Sequence, residues 1–227
     1  MARHRLLFSK TGRAQYLSHL DLMRTMQRVF QRAGVGIRHT EGFNPHAYIS
    51  VALPLSVGVE SVCELLDFEL VDGTPLETLP TLLTAHMPEG IEVLAAYEAE
   101  RKVKDIVWLR LSGVLEYDDI SSRGDLVAPL REFFAREQIL VTKLTKKKEK
   151  TEIDIAPLLR DLAIFIGRVP GEETPRVFVG ATVAAQNPSV SPSLLLEALG
   201  QNAPELVPDF AQFSREELYD KDMAVFR

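Results

Sequence analysis

Two kinds of hydrophobic periodicity alternate along this chain. Residues 3–9 (RHRLLFS) form a short apolar run that ends at Lys10-Thr11-Gly12, the pattern of a strand followed by a turn. From Ser18 to Ala33 the period changes to 3.6. His19, Leu22, Met23, Met26, Val29, Phe30 and Ala33 share one stripe, while Asp21, Arg24, Arg28 and Arg32 occupy the opposite face. Ser18 supplies an N-cap, Asp21 stands three residues later in a capping-box-like position, and Gly34 supplies the stop. A short extended piece, Val35 to His39, leads into the loop Glu41-Gly42-Phe43-Asn44-Pro45-His46, where Gly42 can take positive φ and Asn44-Pro45 disfavours helix. Residues 47–53 (AYISVAL) and 62–71 (VCELLDFELV) read as strands. Residues 75–86 (PLETLPTLLTAH) read as a helix made irregular by Pro80, and 91–97 (IEVLAAY) as a strand.

The resulting β-α-β-β-α-β order predicts a ferredoxin-like domain over residues 1–100, with both helices on one face of an antiparallel sheet and the other face open. The polar run 98–105 (EAERKVKD) reads as a linker. Beyond it, strands are expected at 106–117, 139–145, 151–155, 161–169 and 176–185. A helix runs through Leu130 to Ala135 with Pro129 in its first turn, and another spans 191–200, capped by Ser191 and stopped by Gly200. This predicts a second α+β domain over 104–205, a divergent ferredoxin-like copy with an extra hairpin. Residues 206–227 read as an acidic, half-helical tail that docks or frays.

Composition narrows the class. With 227 residues, 46% hydrophobic, 26% charged and a single cysteine, the chain is an ordinary globular protein with enough length for a sizeable core. Cys63 has no partner in the sequence, so no internal disulfide and no cysteine-ligated zinc or iron–sulfur cluster can form. No window approaches the roughly 18 apolar residues of a membrane span, and the N-terminal MARHRLLFSK lacks a signal-peptide core. A cytoplasmic protein without membrane contact is expected.

Charge is distributed unevenly. The net charge is −6, yet the first 50 residues hold eight basic side chains against two acidic ones. A second basic cluster, Lys146, Lys147 and Lys148 with Lys143 and Lys150, falls at a predicted hairpin tip. Either these are solvated surfaces or they mark an anionic partner on an otherwise repelling molecule.

Candidate chemistry gathers at two places. Ser18, His19 and Asp21 lie at a helix start, with Asn44 and His46 in the loop. If the loop folds over the first turn, imidazoles and helix N–H groups converge on a site for an anion such as phosphate. The alternative makes His19 a buried histidine on the apolar stripe and Ser18 and Asp21 simple caps. Arg24, Arg28 and Arg32 follow one another at four-residue steps of about 6 Å, close to the phosphate spacing of a single strand. No metal-ligand spacing, nucleophile elbow, nucleotide-binding glycine motif or base-stacking RNA-recognition strand is present.

The segments YLSHLDLMRTMQRVFQRAG (16–34) and EGFNPHAYISVALPLSVGVES (41–61) resemble the bacterial radical SAM-linked protein family. The likeness continues through 145–159 and 192–199. It marks His19, Asp21, Arg24, Arg32, Gly42, Phe43, Asn44, Pro45 and His46. Where the family commonly follows that histidine with Pro and a basic residue, Ala47 and Tyr48 stand here. The resemblance implies a radical S-adenosylmethionine protein as partner, with S-adenosylmethionine, an iron–sulfur cluster and, in a cobalamin-binding-like region, cobalamin held there rather than in this chain. It also implies an RNA-related setting.

The expected function is therefore an accessory RNA-binding protein acting with a radical S-adenosylmethionine enzyme in tRNA or rRNA modification. Two alternatives remain open. One is a metal-independent RNA endonuclease or phosphoryl-transfer enzyme with His19 and His46 as acid and base, for which histidine-dependent CRISPR repeat-processing endonucleases offer a fold-level analogy. The other is a protein-interaction scaffold that docks the radical S-adenosylmethionine partner through the open sheet face or the acidic tail.

Overall fold

In the computed structural model, which describes residues 3–118, 120, 124–144, 150–169, 171 and 174–227, the chain is α+β. It has a large, mostly antiparallel sheet and, among the described residues, four α-helices. Two compact units are distinguished: Met1–Ile106 with Ser214–Asp220 and Ala224–Arg227, and Val107–Phe213 with Lys221–Met223.

The first unit contains β1 (His4–Lys10), α1 (His19–Arg32), β2 (Ser50–Ala52), β3 (Val59–Phe68), α2 (Leu79–Thr84) and β4 (Ile91–Glu98). The strands run in the order β4-β1-β3, with β2 on β3, and these pairings are antiparallel. Register places Leu6 opposite Leu66 and Ala96, so alternate residues of three strands share a face. On that face Leu6, Phe8, Leu66, Phe68 and Val93 join Leu22, Met26, Val29 and Phe30 of α1 and Leu79 and Leu83 of α2 in one core. Apart from His19, the stripe read from the sequence is the buried face of α1, with Met23 and Ala33 at its margin. Pro80 falls in the first turn of α2, where its missing N–H costs nothing, and a 3-10 turn (Leu76–Thr78) precedes it. Val35–His39 forms only isolated bridges, Ile37 to Leu70 and His39 to Ala47.

Gly90 holds a tight corner between α2 and β4. Its φ is +88°, its carbonyl accepts from Thr11 N at 2.8 Å, and a Cβ there would meet the Thr11 carbonyl oxygen at 2.3 Å. Gly90→Ala is expected to destabilise the protein by about 1–3 kcal/mol or more, because a left-handed backbone and a backbone clash coincide. A denaturant titration measures it.

The face away from the helices is covered where it was expected to be open. Phe226 is fully buried there, with the Arg5 guanidinium 5.1 Å and the Arg101 guanidinium 4.6 Å from its ring centre. Arg101 also pairs with Asp220 at 2.5 Å, which ties the predicted linker into the unit. The predicted acidic tail, residues 206–227, holds a ten-residue strand where a helix was expected: β10 (Phe210–Tyr219) joins the sheet beside β3, and Arg227 pairs with Glu217 at 2.6 Å. Its Glu, Leu and Arg residues favour helix locally, but burial of Phe213, Arg215 and Leu218 in the sheet outweighs that preference.

The second unit contains β5 (Trp108–Glu116), α3 (Val127–Phe134), the hairpin β6 (Leu140–Leu144) and β7 (Lys150–Asp154), β8 (Leu159–Gly167), β9 (Arg176–Ala184) and α4 (Pro192–Asn202). Its strands run β5-β9-β8 with antiparallel pairing, and β10 lies beside β5. The hairpin is a separate two-stranded sheet, tied to α4 by reciprocal bonds between Gln201 and the Thr142 backbone at 2.8 and 3.0 Å. Ser191 caps α4 through Leu194 N, with Pro192 in the first turn. The last strand that the sequence did not reveal in this half is β10.

Candidate functional site

At the start of α1, Ser18 Oγ accepts from Asp21 N at 3.2 Å, and its hydroxyl donates to Asp21 Oδ2 at 2.7 Å. Arg24 approaches Asp21 Oδ1 at 3.5 Å in an exposed pair. Cap and carboxylate are thus mutually occupied, as the simple capping reading has it. His19 lies on the sequence stripe but is exposed. It is the first helical residue, and side chains tilt toward the helix N-terminus, so it overhangs the end that Leu22 begins to bury. Arg24, Arg28 and Arg32 are all exposed on the outer face of α1.

The loop is clipped shut by a residue that the sequence reading did not single out. Thr40 N donates to the His46 carbonyl at 2.8 Å, and Thr40 Oγ1 accepts from His46 N at 3.1 Å and lies 3.0 Å from His46 Nδ1. With the His39–Ala47 bridge beneath it, this turns the five intervening residues, 41–45, into a closed loop. Gly42 has φ +122°, which only glycine adopts freely. Phe43, Asn44, Pro45 and His46 are exposed, Phe43 completely. The described hydrogen bonds and ion pairs bring together Ser18, Asp21 and Arg24 in one group and Thr40, Asn44 and His46 in another. Among the described residues none joins the two. Lys146, Lys147 and Lys148 lie outside the described residues.

Directly after the loop comes a cavity of about 190 Å³, lined by Arg3, Tyr48, Ile49, Ser50, Asp67, Phe68 and Glu69. Arg38 Nη1 donates to Glu69 Oε2 at 3.0 Å, and its guanidinium lies 5.0 Å from the Tyr48 ring centre. Asp67 is buried and receives Arg5 at 2.6 and 3.1 Å, with Arg3 at 3.1 Å. Tyr48, Ser50, Asp67 and Glu69 share a face because β2 and β3 place Ser50 opposite Asp67. Alternation of Tyr48 with Ser50 and of Asp67 with Glu69 is visible in the sequence, but the register that joins the two pairs is not.

Cys63 is buried in β3, and burial pushes its thiol up to about 12. At pH 8 the thiolate fraction is then on the order of one in ten thousand, so iodoacetamide is expected to leave the native protein unmodified and to alkylate it only in denaturant; intact-mass spectrometry reads the difference. Among the described residues, no cluster of three or more His, Cys, Asp or Glu side chains is arranged to hold a metal ion. No described helix is long and apolar enough to cross a membrane.

Residues 3–192, which hold the arginine-bearing helix, the loop and the cavity, match the family described as an uncharacterized protein conserved in bacteria (DUF2344). The chain belongs to that family. No curated protein matches it. Among solved structures, the crystal structure of an unknown protein from Galdieria sulphuraria is similar at 10% identity, over 94% of this chain and 98% of that one, with a TM-score of 0.25. A likeness that slight carries no argument, so for this DUF2344 member the site itself is the ground for function.

Proposed function

We propose that this DUF2344 protein is an accessory RNA-binding protein that presents tRNA or rRNA to a radical S-adenosylmethionine enzyme. One observation carries the RNA half of this reading: Arg24, Arg28 and Arg32 are all solvent-exposed on the outer face of α1, in a segment with a strong basic excess on an acidic chain. Guanidiniums spaced by a helical turn grip successive phosphates without reading bases, which suits a protein that holds RNA for another to modify. The partner half rests on the sequence resemblance to the radical SAM-linked family. S-adenosylmethionine, the iron–sulfur cluster and cobalamin would belong to that partner, since the one cysteine here is buried. The fold reading is tandem ferredoxin-like. It is supported by the strand order β4-β1-β3-β2 in the first unit and β5-β9-β8 in the second, where the start of β10 lies beside β5 and β6–β7 is an inserted hairpin.

The scaffold alternative is less well supported, because Phe226 and Arg227 occupy part of the sheet face that a docked partner would use. The nuclease alternative needs His19 and His46 in one cleft. Each is exposed, but His46 Nδ1 is engaged by Thr40 within its own loop.

Affinity purification from native cells, with bound RNA sequenced and bound protein identified from the same sample, tests the proposal. Defined RNA species together with a radical S-adenosylmethionine protein are expected. Recovery of the partner after nuclease treatment, with no RNA in untreated samples, would remove RNA from the reading.

A further inference from the structure

We propose that the cavity beside the loop receives a single unstacked nucleobase that carries an exocyclic amine: cytosine, adenine or guanine in preference to uracil. This rests on the RNA-binding reading and assigns it a base-selective point.

Size is the first argument. At about 190 Å³ the cavity is smaller than the roughly 300–1,000 Å³ of sites for drug-sized ligands. It has room for one planar ring system and leaves the sugar and phosphate outside. The walls are the second. Tyr48 is 46% exposed, and Arg38 lies against its ring. Splayed RNA bases stack on such aromatic and guanidinium planes.

Selectivity comes from the acceptors. Both Asp67 oxygens are committed to Arg5, with Arg3 beside them. Glu69 lines the cavity and gives Oε2 to Arg38, and a carboxylate has further lone pairs with which to accept. An ionised carboxylate only accepts, so it rewards an amine edge and opposes the two carbonyls that flank the single N–H of uracil.

Charge decides between a base and a protein side chain. The two carboxylates that line the cavity are already paired, Asp67 with Arg5 and Arg3 and Glu69 with Arg38, which disfavours an inserted Lys or Arg and tolerates a phosphate at the rim. Arg3, half exposed there, is placed to meet one.

The test is fluorescence anisotropy of the full-length protein with 5′-labelled oligo(rC), oligo(rA) and oligo(rU) of equal length. Oligo(rC) or oligo(rA) is expected to bind at least about fivefold more tightly than oligo(rU). Tyr48→Ala should weaken binding roughly 5- to 150-fold, the range of one lost stacked base, whereas Tyr48→Phe keeps the ring and should stay within about twofold. Glu69→Gln, which can also donate, should reduce the preference over oligo(rU) to about twofold or less. If the oligomers bind and the Arg24/Arg28/Arg32 alanine variant weakens them, but Tyr48→Ala and Glu69→Gln change nothing, the base pocket is refuted and the RNA reading stands. If no oligomer binds at all, both fail. Displacement of bound oligomer by an arginine-containing peptide, abolished by Glu69→Gln, would assign the cavity to protein and overturn the proposal.

Discussion

Asp67→Ala is expected to lower the thermal midpoint of the protein by about 6–20 °C, from a loss of about 3–5 kcal/mol. Arg5 is 1% exposed, and its guanidinium depends on Asp67 for two bonds, at 2.6 and 3.1 Å. The Arg101 carbonyl takes a third at 3.1 Å, and Nη1 has no hydrogen-bond partner among the described residues. Removing the carboxylate leaves a full positive charge in the sheet under Phe226 without its counter-charge. The penalty comes from the unpaired charge rather than from the lost attraction. The double variant Arg5→Met/Asp67→Leu should therefore recover most of the stability, because replacing a buried pair with apolar groups of similar size is often neutral. Calorimetry of both variants distinguishes the cases; equal losses would show that the pair itself stabilises the unit.

Arg24→Ala/Arg28→Ala/Arg32→Ala should change RNA affinity more than any other surface substitution. Three phosphate contacts to a single strand correspond to a slope of about 2 in log K against log salt. The triple variant should bind on the order of a few hundredfold more weakly at 50 mM salt, and the gap should shrink about 20-fold by 200 mM. Mobility shifts across a salt series measure both. Stability should be nearly unchanged, since the three side chains are exposed and, among the described residues, only Arg24 of the three has an ion pair, itself on the surface. RNA binding that is absent, or whose salt slope does not move, would defeat the proposed role of α1.

The helix that carries this prediction was legible in the sequence almost to its last residue. Its apolar stripe, its Ser18 cap and its Gly34 stop all lie within one or two turns of the positions they control. The loop was half legible: Gly42 and Pro45 announced it, but the Thr40 clasp that closes it on His46 was not anticipated. His19 misled, because periodicity records the angle of a side chain around a helix and not whether the helix end outruns the sheet.

What the sequence determined by itself is local: α1, the caps, most strands, an α+β class and the basic excess near the N-terminus. Only the tertiary structure decided that the acidic C-terminal segment is strand β10, that Phe226 covers the sheet, and that Tyr48 and Glu69 line a common cavity. The physical reason is distance along the chain. Arg5 meets Asp67 across 62 positions, and Arg215 reaches the Leu53 carbonyl across 162. Pairings of that kind depend on register and burial summed over whole strands, and no short window of residues encodes them.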